Sequence, residues 1–301
     1  MGLTRPGGPP QDNGGVKAVI RKVDGLLQRH PATAFPVAVF KKFGEDEAGN
    51  LAALIAYYGF FSLFPLLLVF VTILGLVLRG NPDLQRSIVD SALANFPIIG
   101  TQISRNVRAL AGSGLALGIG IALTLWSGLR VAKAVQSAMN TVWNVPYKRR
   151  PNFLFSTLRA VAMLAVLGVL TLVSAAAGGV GAGSSNWLLG ILGIAISLVL
   201  NFALFMLAFR ILTAADLSWA DVWPGAAVGA VAWTALQAVG GFYVAHQLQG
   251  ASEVYGTFAL VIGLLAWIFL GAQVTLYAAE VNVVKKRHLW PRSIVQRPDT
   301  D

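Results

Sequence analysis

The sequence predicts an all-α polytopic membrane protein with six transmembrane helices and both termini in the cytoplasm. Three observations carry this. Apolar residues are 56% of the 301 and glycine adds 32 more, while charged residues are only 12%, about half the share of a soluble domain. That leaves too little polar surface to cover a globule of this size in water. The apolar residues also fall in runs long enough to cross a ~30 Å hydrocarbon core. Finally, with six spans, 19 Lys and Arg lie on one side and four on the other. The positive-inside rule assigns the richer side, which holds both termini, to the cytoplasm.

Residues 1–49 are expected to form a cytoplasmic segment. It is Gly/Pro-rich through Gly15. From Val16 to Arg29, apolar Val19, Ile20, Val23, Leu26 and Leu27 recur at helical spacing beside Lys17, Arg21, Lys22 and Arg29. This basic amphipathic helix suits an anionic leaflet. No signal-peptide core precedes residue 50, so the first span is expected to act as export signal and anchor. Pro36 opens a short segment through Phe43, and Glu45, Asp46 and Glu47 suit the N-terminus of the next helix.

The transmembrane domain is read as residues 50–284. Span one, Leu51 to Leu78, is uncharged over 28 residues and is expected to tilt or bend at Pro65. The external loop from Arg79 to Gly112 reads as two short amphipathic helices broken at Pro97. Span two starts near Gly114. The others follow at Ala160 to Val180, Trp187 to Phe209, Val222 to Val244 and Tyr255 to Ala279, with a cytoplasmic tail at 285–301.

Span two continues into the most informative stretch, Thr124 to Arg150. At helical spacing Trp126, Arg130, Lys133, Ser137, Asn140 and Asn144 share one face, and Leu125, Leu129, Ala132, Val135, Met139 and Val142 the other. One helix with a polar stripe, ended by Pro146, fits this pattern.

Polar groups at membrane depth are functional candidates, because burying them in lipid is costly. They are Arg130, Lys133, Asn140, Asn201, Arg210, Gln237, Gln273 and Glu280. Arg130, Lys133, Ser137, Asn140 and Glu280 are expected to line one polar cavity open to the cytoplasm. In it Glu280 pairs with Arg130 or Lys133, and an anionic headgroup competes for the cations. On that reading Glu280→Gln impairs folding or function, and a charge swap with Arg130 partly restores it. The plainer reading has Arg130, Arg210 and Glu280 snorkelling near span ends. Asn201 and the two glutamines then serve as interhelical hydrogen-bond partners, and Trp126, Trp233 and Trp267 as packing. Small residues at four-residue spacing (Gly114/Gly118/Ala122, Gly225/Gly229, Ala259/Gly263) permit close helix approach.

Nothing in the pattern predicts an enzyme. Without cysteine there is no thiol catalysis or Cys-based zinc site. His30, His246 and His288 are scattered, and no GxSxG, P-loop or HExxH pattern occurs. No catalytic residue, metal, cofactor or nucleic-acid partner is therefore expected. The expected partners are membrane lipids, with anionic headgroups at the cytoplasmic face.

Four stretches carry a resemblance: AYYGFFSLFPLLL (Ala56 to Leu68), LWSGLRVAKAVQSAMNTVWNV (Leu125 to Val145), PGAAVGAVAW (Pro224 to Trp233) and YGTFALVIGLLAWIFL with AEVN (Tyr255 to Asn282). In them the chain resembles the YihY/BrkB family of bacterial inner-membrane proteins, over roughly Phe40 to Val284. The resemblance implies six transmembrane helices in the cytoplasmic membrane and a role in envelope integrity or in moving an amphiphilic envelope component. The alternative is a non-transporting scaffold for envelope assembly. The family's old ribonuclease BN label finds no metal-binding constellation here to support it.

Overall fold

The computed structural model describes residues 31–77, 114–181 and 187–292. The expected amphipathic helix at Val16 to Arg29, both loop helices before Gly112 and the last nine residues of the tail lie outside them. The described residues form helices and no strand: α1 (Pro31–Glu45), α2 (Ala48–Val77), α3 (Gly114–Val142), α4 (Phe153–Gly181), α5 (Trp187–Leu212) and α6 (Trp219–Lys286), with a 3-10 turn at Tyr147–Arg149. Among the described residues, four stretches are long and apolar enough to cross a membrane: Ala48–Pro65, Gly118–Val142, Ile191–Leu212 and Val261–Lys286.

α1 begins before Pro36 and runs through it, against the expectation of a start there. Pro36 is the sixth residue of this helix, just past the four N–H groups that have no intrahelical partner, so its ring forgoes one hydrogen bond to the first turn.

α3 also ends differently than expected. Asn144 takes a left-handed backbone (φ 49°), its N–H donates to the Thr141 carbonyl, and the Val145 N–H donates to that of Asn140. This is a Schellman termination, so the helix has stopped before Pro146. α6 closes in the same way at His288 (φ 53°), where the Leu289 N–H reaches back to Val284.

α6 cannot be straight. The Gly225 N–H donates to Asn282 Oδ1 at 2.6 Å, although 57 residues of straight helix would separate them by about 85 Å. The element therefore doubles back between two antiparallel limbs, which correspond to the fifth and sixth runs of the sequence. A side chain at Gly225 would strike the Ala278 carbonyl and Asn282, and one at Gly229 would crowd Ala278 and Phe205. Gly118 and Gly263 face open space, so of the small-residue pairs with described surroundings only Gly225/Gly229 marks a close approach.

α2 packs on α3 and α6, α3 on α4, α4 on α5, and α5 on α6, with α1 laid against α6. Among the described residues, fourteen of the 30 buried apolar ones are alanines, while Phe153, Leu154, Leu158, Ile194 and Val199 are exposed. Small residues inside and large apolar ones outside is how helices pack when the surroundings are lipid.

The end of α3, the start of α4, the connection after α5 and both ends of α6 meet in one polar layer. Gln136 and Ser156 bond reciprocally, Gln136 Nε2 to the Ser156 carbonyl at 2.9 Å and Ser156 Oγ to Gln136 Oε1 at 2.6 Å. The Ala214 N–H donates to Asn140 Oδ1 at 2.8 Å, and Arg287 donates to the Trp143 carbonyl. Lys286 Nζ bridges to Asp221 at 2.8 Å. Burial pushes the Asp221 carboxyl up, but Lys286 together with the Ser218 hydroxyl and N–H outweighs it and holds the group below its ordinary value. With Ser218 as N-cap, Asp221 also closes a capping box at the start of α6.

Candidate functional site

The five residues expected to share a cavity are dispersed. Arg130 lies on the exposed side of α3, its guanidinium 4.1 Å from the Trp126 ring centroid and 6.0 Å from that of Tyr58. Lys133 turns the other way, its ammonium 3.9 Å from the Phe153 ring of α4. Ser137 is exposed and Asn140 is buried, the latter spent on Ala214. The predicted stripe therefore changes character along α3, from an exposed cation to a buried tie.

Glu280 is fully buried elsewhere, and the expected pairing with Arg130 or Lys133 is not made. The charged groups it faces are Asp46 and Lys42 from the α1–α2 corner and Arg292 beyond α6. Lys42 is also fully buried and holds both Asp46 carboxylate oxygens, at 2.5 and 2.6 Å. Arg292 pairs with Glu45, which also lies 3.7 Å from Lys41. Neither Glu280 oxygen accepts a hydrogen bond. The acidic run is thus only partly a helix start: Glu45 and Asp46 go to ion pairs, and Glu47, at φ 51°, accepts from Asn50.

What Arg130 does form is one wall of a groove between α2 and α3, about 500 Å³ in volume. Tyr57, Tyr58, Phe61, Phe64 and Pro65 come from α2, and Leu123, Trp126 and Ser127 from α3. Tyr57 and Phe61 tilt against each other at 4.8 Å, and Phe60 and Phe64 meet edge to face at 5.4 Å. Tyr57, Phe61, Phe64 and Trp126 are all more than half exposed, so the groove opens outward from the bundle. Trp126, expected to pack, is one of its exposed lining residues. Trp233 does pack, against Gly271, and Asn201 donates to Thr234 at 3.1 Å as an interhelical tie.

The direction of Arg130 matters. Helical side chains lean toward the N-terminus, and stacking on Trp126 four residues earlier carries the guanidinium away from the polar layer. Arg130 Cα is already twelve residues from the end of α3 at Val142, or about 18 Å of helix. A cation over aromatic faces gains about 0.5 to 2 kcal/mol depending on desolvation, and the stacking leaves the N–H edge of its guanidinium for an acceptor. The site can therefore accept an anion lying along aromatic walls.

A profile for the family described as Virulence factor BrkB matches residues 39–299. The chain belongs to the BrkB family. Among its relatives, the inner membrane protein YhjD of Escherichia coli is 24% identical, over 84% of this chain and 81% of its own length. YfkH of Bacillus subtilis, named as ribonuclease-like, is 23% identical over 83% of this chain and 94% of its own. A UPF0761 membrane protein of Pseudomonas paraeruginosa is 25% identical over 85% of this chain and 64% of its own. No solved structure matches. This BrkB chain is a membrane protein, and the resemblance seen in its aromatic and AMNTVW stretches holds over nearly all of its length.

Proposed function

We propose that this BrkB protein spans the bacterial cytoplasmic membrane six times, with both termini inside, and binds and moves an anionic amphiphile through the Arg130 groove in support of the envelope. The observation that carries this is Arg130 turned away from the polar layer into an exposed, aromatic-walled groove. A charge kept at that depth is expensive without a counter-charge, and a headgroup would supply one while its chains lie along Tyr57, Phe61 and Phe64.

Liposomes carrying the protein and a fluorescent phosphatidylglycerol test the proposal. Wild type should speed the exchange of label between leaflets, and Arg130→Gln should slow it at least about tenfold, the loss of one charged hydrogen bond at ~1.5 kcal/mol or more. Exchange that ignores Arg130→Gln rejects the Arg130 groove as its path, and no exchange at all rejects transport. The polar layer that ties α3, α4 and both limbs of α6 at one end favours the second reading, a non-transporting scaffold, which predicts no exchange.

Topology is checked separately in this cysteine-free chain. Asn186→Cys should be labelled by an impermeant reagent from outside intact cells and Arg149→Cys should not. The reverse pattern overturns the orientation, which rests on the 19-to-four basic asymmetry. RNA hydrolysis is not part of this proposal; the ribonuclease-like name belongs to YfkH.

A further inference from the structure

A second concavity, about 390 Å³, opens where α4, the end of α5 and the α5–α6 connection meet. Arg159, Arg210, Thr213, Asp216 and Ser218 are among its lining residues. We propose that this cleft binds a phosphate group, carried by a lipid headgroup or by a soluble phosphate ester.

Both cations are held in place by contacts that leave donors over. Arg159 Nη1 donates to the Thr213 carbonyl at 3.2 Å, one of five N–H groups on the guanidinium. Arg210 lies over the Trp219 ring at 4.2 Å. Stacking occupies the face of its plane and keeps its N–H edge for an acceptor. Thr213 is 1% exposed, and its hydroxyl has no hydrogen-bond partner.

The nearby acids do not cancel these charges. Asp221 is taken by Lys286 and Ser218. Asp216, the one carboxylate among the lining residues, is exposed. Two guanidinium forks against one rim carboxylate leave the cleft net positive, which disfavours a cation. A phosphate, with oxygens enough for both forks, matches it better than a single carboxylate. The cleft lies away from Arg130, so this inference does not rest on the transport proposal.

The test uses full-length protein in dodecyl maltoside micelles, which carry no phosphate, and reads binding from the thermal unfolding midpoint. One arm adds glycerol phosphate in solution; the other adds phosphatidylglycerol to the micelles. At least one arm should raise the midpoint of wild type, and the arm that responds names the source of the phosphate. Arg159→Gln and Arg210→Gln should each weaken that response at least about tenfold in concentration, and Arg210→Lys, which keeps charge but loses the fork, by less. Lys148→Gln, an exposed basic residue of the 3-10 turn, should change nothing. Should Arg159→Gln fail to fold for want of its Thr213 bond, the exposed Arg210 carries the test alone. No response in either arm overturns the proposal, as does a response indifferent to Arg210→Gln. An equal loss with Lys148→Gln overturns it too, because general surface charge would then suffice.

Discussion

Gly225→Ala should leave little folded protein, at a cost of about 4 kcal/mol or more, in the range reserved for severe core defects. The methyl group would collide with the Ala278 carbonyl oxygen and with Asn282. Both belong to the antiparallel limb of α6, where backbone cannot step aside as a flexible side chain can. The same collision breaks the Gly225 N–H to Asn282 bond at 2.6 Å, leaving buried polar groups unpaired. Gly229→Ala meets only the Ala278 methyl and the Phe205 ring, at 3.1 Å, and should be milder. Gly44→Ala, with nothing within 4 Å, should be neutral or slightly stabilising. Unfolding midpoints in detergent should rank the three in that order. A Gly225→Ala protein as stable as Gly44→Ala would mean that the limbs of α6 do not pack as described.

The second large effect lies in the buried charges at the α1–α2 corner. Lys42→Met should destabilise by about 3–5 kcal/mol, the cost of removing one partner from a buried pair. It strips the cation from Asp46 and leaves Glu280 facing another carboxylate. Glu280→Gln should behave oppositely and stay within about 1 kcal/mol of wild type. Glu280 accepts no hydrogen bond, and an amide would bring N–H donors to a place crowded with acceptors. Combining Glu280→Gln with Lys42→Met should recover part of the loss. This reverses the expectation drawn from sequence, in which Glu280→Gln is harmful and a swap with Arg130 repairs it. Equal damage from the two single changes, or rescue by that swap, would restore the earlier pairing.

These results separate what each level of description could reach. Composition, uncharged runs and helical period suffice to make the chain an all-helical membrane protein, because they depend on the solvent and on the backbone alone. The aromatic run at Ala56 to Leu68 and the stretch at Leu125 to Val145 likewise announced the family. The helix ends were less legible: Pro146 is a visible stop signal, but Asn144 had already turned the chain through a local hydrogen-bond pattern.

Partnerships were not legible at all. By sequence Arg130, Lys133 and Glu280 all read as charged groups toward span ends, and charge acts over distance, so any could pair with any other until three-dimensional position chooses. The fold sends Arg130 to Trp126, Lys133 to Phe153 and Glu280 to Lys42 and Asp46. Gln136 and Asn282 escaped notice because a lone polar residue has no period, although both tie helices together. Helical spacing places a residue on a face of its own helix; only the packing of α2, α3 and α6 decides what that face meets.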